Sequence, residues 1–158
     1  MSRAMRVTTR NASFQQWQAL LTNRTKRQRA GQFLVQGVRP ITLAAENGWD
    51  IDALLYPDRQ ALSGWAREML DTSGATPVAM DAELLAELGE KETPELVAVV
   101  ALPPDDLARV PAGRRLLTVV FDRPATPGNI GTLIRSADAF GASGVIITGH
   151  AADPYDPR

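Results

Sequence analysis

The sequence has no cysteine and a single histidine, His150, which excludes disulfides and thiolate metal centres and leaves too few ligands for a histidine-built site, so no metal is expected. It has no run approaching the roughly eighteen apolar residues of a membrane-spanning helix, and its N-terminus lacks the apolar stretch of a secretion signal. A cytoplasmic protein with no membrane partner is the expectation. A third absence is local: no Asp or Glu precedes Glu46. Arg3, Arg6, Arg10, Arg24, Lys26, Arg27, Arg29 and Arg39 do precede it, so this end carries +8 and the remainder −9. A basic arm on an acidic body suits nucleic acid, because neutralising phosphates releases counterions. The same charge would serve equally well as a solubilising end or as one that docks on its own acidic body.

Residues Met1 to Arg10 show no apolar period and are expected to fray. Phe14, Trp17, Leu20 and Leu21 then recur at helical spacing, and the helix is expected to continue into the basic cluster from Arg24 to Arg29. Part of that cluster suits a helix C-terminus, where the macrodipole favours cations, but four cations in six residues exceed what capping needs. Strands are predicted at Gln32–Gly37, Ala53–Tyr56, Thr76–Met80 and Leu96–Leu102. Between them, helices are predicted from Val38 to Asn47 with Gly48 as stop, from Gln60 to Leu70, and from Asp81 as N-cap to Leu88 with Gly89 as stop. This alternation defines an α/β layer structure. Trp17, Trp49 and Trp65 have faces that can stack on bases, but they are spread along the chain and packing is the simpler role. Two Pro-rich punctuation points, Pro103-Pro104 and Pro111-Ala112-Gly113, mark a linker. The expected organisation is therefore a first domain at 1–102, a linker at 103–113 and a second domain at 114–158.

The second domain is built around Leu116–Thr148, an apolar run, a Pro/Gly-rich turn, a helical pattern and another apolar run. Ile130, Leu133, Ile134, Ala137 and Phe140 fall on one helical face, predicted to lie on the sheet. Arg135 falls opposite that face, and Asn129 is expected just ahead of the first turn. Loops at the carboxyl ends of parallel strands are where open α/β sheets bind ligands. Simpler roles exist for both residues: Asn129 as a helix N-cap, and Arg135 paired with Asp138 three residues on.

The string from Asp122 to Gly131, DRPATPGNIG, followed by Arg135-Ser136-Ala137-Asp138-Ala139-Phe140-Gly141, closely resembles the first motif of the SpoU family of RNA ribose 2′-O-methyltransferases, of the SPOUT class. The basic cluster together with Gln32–Asn47 resembles the start of the substrate-binding domain that precedes the catalytic domain in many of these enzymes, with Gln36 standing where an acid is usual. The resemblance implies a small ribosomal-protein-like α/β domain that presents ribosomal or transfer RNA, followed by the beginning of an α/β-knot methyltransferase domain. It implies S-adenosylmethionine as methyl donor and a homodimer for the complete protein. Asn129 and Arg135 match the motif's asparagine and arginine and are the implied catalytic residues; Arg24, Lys26, Arg27, Arg29 and Arg39 are the candidate RNA contacts. A guanidinium, with a pKa above about 12, is a poor base, so phosphate binding and electrostatic activation are expected of Arg135. Gly128, Gly131 and Gly141 fit positions of turning or close approach. His150 reads as a loop residue, and Asp153–Arg158 resembles the family's loop after the second strand, which ends on a basic residue.

The family's second and third motifs, which form the donor pocket, the knot and most of the dimer interface, are not matched in these residues. The expectation is a domain truncated before the knot, with no cofactor-binding residues of its own and no activity as a 158-residue chain. The alternative is an RNA-binding module carrying a remnant catalytic domain. A dinucleotide-binding enzyme is a poorer match, because Gly128-Asn129-Ile130-Gly131 lacks the G-x-G-x-x-G spacing.

Overall fold

A computed structural model describes residues 5–89 and 93–157. The expectations placed on Arg3 and Arg158 fall outside those residues. The chain divides after Leu102 into two compact units.

In the first unit, β1 (Met5–Val7), β2 (Gln32–Gln36), β3 (Ile51–Pro57), β4 (Thr76–Met80) and β5 (Val97–Ala101) form one sheet in the order β1-β4-β3-β5-β2. β1, β4 and β3 run parallel, while β5 is antiparallel to both β3 and β2. The carboxyl ends of β1 to β4 therefore share one edge. The expectation of a frayed N-terminus is corrected: Met5–Val7 pairs with Val78–Met80, and Val7 is fully buried. Three residues carry no readable period, and their order comes from a partner more than seventy positions away.

The helices are α1 (Ala12–Thr22), α2 (Arg24–Ala30), α3 (Val38–Glu46), α4 (Gly64–Thr72) and α5 (Ala82–Leu88). Strand alternation sends neighbouring side chains to opposite faces. Leu34, Ala53, Leu55, Val78, Met80, Val97 and Val99 meet Phe14, Trp17 and Leu20 of α1 and Leu84, Leu85 and Leu88 of α5 in one cluster. The alternate positions Phe33, Leu54, Ala98 and Val100 are also buried, as are Ile41 of α3 and Ala66 and Met69 of α4. Burying a residue the size of Leu on both faces contributes about 1.5–3 kcal/mol each, which makes this core the main source of stability.

Two helix boundaries differ from the sequence reading. α1 does not run into the basic cluster, because Asn23 ends it and its side chain accepts the Lys26 N–H at 3.0 Å, starting α2. The fourth helix starts at Gly64 and not at Gln60: Ser63 is its N-cap, and Glu95 accepts hydrogen bonds from both the backbone N–H and the hydroxyl of Ser63. The tryptophans pack. Trp17 is buried, Trp49 lies edge-on to Phe33 with centroids 5.9 Å apart, and the Trp65 indole donates to Thr42 at 2.9 Å.

In the second unit a turn of 3-10 helix (Leu107–Arg109) precedes β6 (Thr118–Asp122), α6 (Pro127–Ala139) and β7 (Gly144–Thr148). β6 and β7 are parallel, in a register that sets Asp122 opposite Thr148. Of the predicted apolar helix face, Ile130 and Ala137 are buried, but Ile134 is 43% exposed and Phe140 83%. A sheet of two strands is narrower than the apolar stripe of the helix, so the rest of that stripe is uncovered.

Candidate functional site

The sequence from Phe121 to Ile130 turns strand into helix at the carboxyl end of a parallel strand. Thr126, in extended conformation, caps α6: its hydroxyl accepts the Asn129 N–H at 3.3 Å, and Pro127 follows at the start of the helix. Pro suits that position because the N–H it lacks would be unpaired there, and its φ is already helical. Asn129 thus lies inside the first turn and not ahead of it, which corrects the sequence reading. The capping role belongs to Thr126. The carboxamide of Asn129 is exposed and makes no hydrogen bond among the described residues.

The simpler role of Arg135 is also replaced. Its guanidinium donates to Thr132 at 3.2 Å and does not pair with Asp138. Helical side chains lean toward the N-terminus, and Arg135 follows the rule: a Cβ at Gly131 would stand 3.4 Å from its Nη1. Arg135 thus lies back along the helix over Gly131, within ordinary contact distance of where a Cβ would stand. Gly141 takes a left-handed turn (φ 75°) at the end of α6. A Cβ at Gly128 would meet nothing within 4 Å, so no packing within the chain demands glycine there.

The loop after β7 is stitched to the motif loop, since the Ala152 N–H donates to the Pro124 carbonyl at 2.8 Å. His150 is exposed. Asp153 is buried and accepts the Tyr155 N–H at 3.0 Å, closing a local turn. Burial pushes the Tyr155 hydroxyl above its ordinary pKa, against the opposing influence of a hydrogen bond from Arg109.

The basic surface is smaller than its charge count. Arg6 pairs with Asp58 at 2.9 Å and Arg10 with Glu87, so this part of the arm docks on its own acidic body. Arg27, expected to contact RNA, is 1% exposed and donates to the Leu20 carbonyl at 2.6 Å. That carbonyl belongs to the last turn of α1, where no helical N–H follows to bond it. Arg27 is therefore a helix-end fastening. Arg24, Lys26, Arg29 and Arg39 are exposed. Lys26 and Arg29 border a groove between α1 and α2 with Gln15 and Gln16. Arg39 stands in the first turn of α3, where the helix dipole disfavours a cation, so helix stability does not account for it.

A sheet-borne loop with an exposed amide and guanidinium thus follows, along the chain, an α/β unit that exposes Arg24, Lys26, Arg29 and Arg39. The chain belongs to the SpoU family: residues 11–98 match the SpoU L30e-like domain, and residues 116–158 match the SpoU rRNA methylase family. It is 60% identical over 157 residues to the 23S rRNA (uridine(2479)-2′-O)-methyltransferase of Streptomyces viridochromogenes, covering 98% of this chain and 55% of that protein. The crystal structure of the SpoU methyltransferase AviRb from the same organism, in complex with the cofactor AdoMet, superposes with a TM-score of 0.88 at 61% identity, covering 94% of this chain and 57% of that one. The 23S rRNA (guanosine(2553)-2′-O)-methyltransferase RlmP of Bacillus subtilis is 26% identical, covering 94% of this chain and 56% of that protein. The chain thus spans about half the length of the curated relatives it matches.

Proposed function

We propose that these residues supply the RNA-presenting domain and the ribose-facing loop of an S-adenosylmethionine-dependent 2′-O-methyltransferase acting on 23S ribosomal RNA. The observation that carries this reading is the helix start at Thr126, which takes the capping role and leaves the Asn129 carboxamide exposed. The amide of Asn129 can then hold the target nucleotide. Arg135 is a fixed positive charge beside it. A ribose hydroxyl is a weak acid, and a neighbouring guanidinium favours its ionised form without accepting the proton itself. Arg24, Lys26, Arg29 and Arg39 hold RNA backbone on the first unit.

The donor supplies the methyl carbon when bound. In the second unit an open groove runs along Asp105, Arg109 and Ser143 to Ile147, and no step is assigned to the donor in this chain. The 158 residues alone are expected to bind RNA without transferring methyl groups. We further infer a cytoplasmic homodimer for the whole protein, in which the exposed apolar side chains Val120, Ile134 and Phe140 are covered.

Calorimetric titration of the chain with S-adenosylmethionine, beside titration with 23S rRNA, tests the reading. RNA binding that weakens steeply with salt, without measurable donor binding, is expected. Micromolar donor affinity would mean that this chain contains the pocket; absence of RNA binding would remove the RNA-presenting role. A non-catalytic RNA-binding module is separated by assaying methyl transfer in the protein that carries this chain, where Arg135→Ala should abolish activity.

A further inference from the structure

Among the described residues two non-glycine residues have positive φ, Arg59 (63°) and Arg123 (51°), and each follows an aspartate at, or just after, the carboxyl end of a parallel strand. A left-handed Arg carries a strain that Asn or Gly would avoid. At Arg59 a turn accounts for it: Asp58 is engaged by Arg6 at 2.9 Å, and Arg59 itself is 3.7 Å from Asp58. Arg123 differs in that several groups are arranged around it. Its N–H donates to the Thr148 carbonyl at 2.9 Å, and its Nε to Asp122 Oδ2 at 2.8 Å. The other oxygen of Asp122 accepts the Thr148 hydroxyl at 3.0 Å. Its aliphatic stem crosses Gly149, where a Cβ would come within 2.4 Å of the Arg123 Cγ. Glycine is thus required at 149, both by that approach and by its own φ of 71°.

A guanidinium held through Nε alone has its Nη1 and Nη2 fork uncommitted, and for Arg123 neither Nη has a partner among the described residues. The side chain is 71% exposed. Planar bidentate contact with a phosphate is what such a fork suits. A strained backbone held by neighbours on two strands is a feature that packing does not require. Arg123 also stands three residues before the cap of the helix that bears Asn129 and Arg135.

We propose that Arg123 is a further RNA-binding residue, whose Nη edge takes a phosphate of the strand next to the nucleotide offered to Asn129 and Arg135. Asp122 and Thr148 are positioning residues that aim it. The proposal rests on the methyltransferase reading above.

The test is titration of the 158-residue chain with 23S rRNA transcript across a salt series, for wild type, Arg123→Gly, Arg123→Lys, Thr148→Val and Arg135→Ala, with the thermal midpoint of each. Arg123→Gly keeps the backbone conformation and relieves its strain, so its midpoint should match or exceed wild type. Its affinity should fall about 3- to 10-fold, with a log–log salt slope shallower by about 0.7–0.9, one phosphate's share. Arg123→Lys should keep the slope and recover part of the affinity. Thr148→Val should weaken binding less than Arg123→Gly, at unchanged slope. If Arg123→Gly binds like wild type while Arg135→Ala is impaired, the proposal is overturned and the methyltransferase reading stands. If wild type binds no RNA, both fall.

Discussion

The two units resolve the same problem to different degrees. The first covers both faces of a five-stranded sheet and holds most of the buried apolar residues among those described, the second contributing Pro124, Ile130 and Ala137. The second has two strands under one helix and exposes Val120, Ile134 and Phe140. In the first unit, stability comes from packing and the candidate function lies on its charged surface. In the second, the motif loop is fixed by hydrogen bonds at the strand ends and helix cap, with little core beneath it.

The largest expected effect lies in the first unit. Leu55→Ala, at a fully buried position between the sheet and its helices, should cost about 2–5 kcal/mol in chemical denaturation. Val120→Ala, at a position 62% exposed in the second unit, should change stability by about 0.5 kcal/mol or less. Equal costs would break the contrast. Next, Arg27→Leu should destabilise by about 1–3 kcal/mol, because the Leu20 carbonyl loses its buried donor. The salt slope of RNA binding should not change. Lys26→Ala with Arg29→Ala should do the reverse, leaving the denaturation midpoint in place and weakening RNA binding. Thr126→Ala removes the cap of α6 and should cost about 0.5–2 kcal/mol, seen as faster amide exchange in the first turn of that helix. The smallest effect is at Tyr155, whose hydroxyl keeps its proton more tightly when folded than when unfolded. Its contribution is complete below the unfolded value near pH 10 and is lost as pH rises past it. Unfolding midpoints from pH 8 to 11 should fall more steeply for wild type than for Tyr155→Phe.

What could be read from sequence was local. Phe14, Trp17 and Leu20 declared a helix by their spacing, the alternation around Thr76–Met80 declared a strand, and Asp81 and Gly89 bounded α5 as N-cap and stop. Features dependent on distant partners were not legible. The strand at Met5–Val7 needs β4, the start of α4 needs Glu95, and Arg27 looked like one more surface cation until α1 and α2 packed together. In the site, Asn129 and Arg135 were readable as a motif, and Thr126-Pro127 was a visible cap signal that the asparagine overshadowed. The link from Arg123 through Asp122 to Thr148 depends on the register of two parallel strands, which no spacing along the chain reveals.

The most direct test of the central claim is the salt dependence of 23S rRNA binding by the chain, for wild type and for the double variant Lys26→Ala, Arg29→Ala. The account predicts steep salt dependence for wild type and a slope shallower by about 1.4–1.8 in the variant, two phosphates' worth. Identical affinities and slopes for the two proteins would contradict it, and would mean that the exposed face of α2 does not hold RNA.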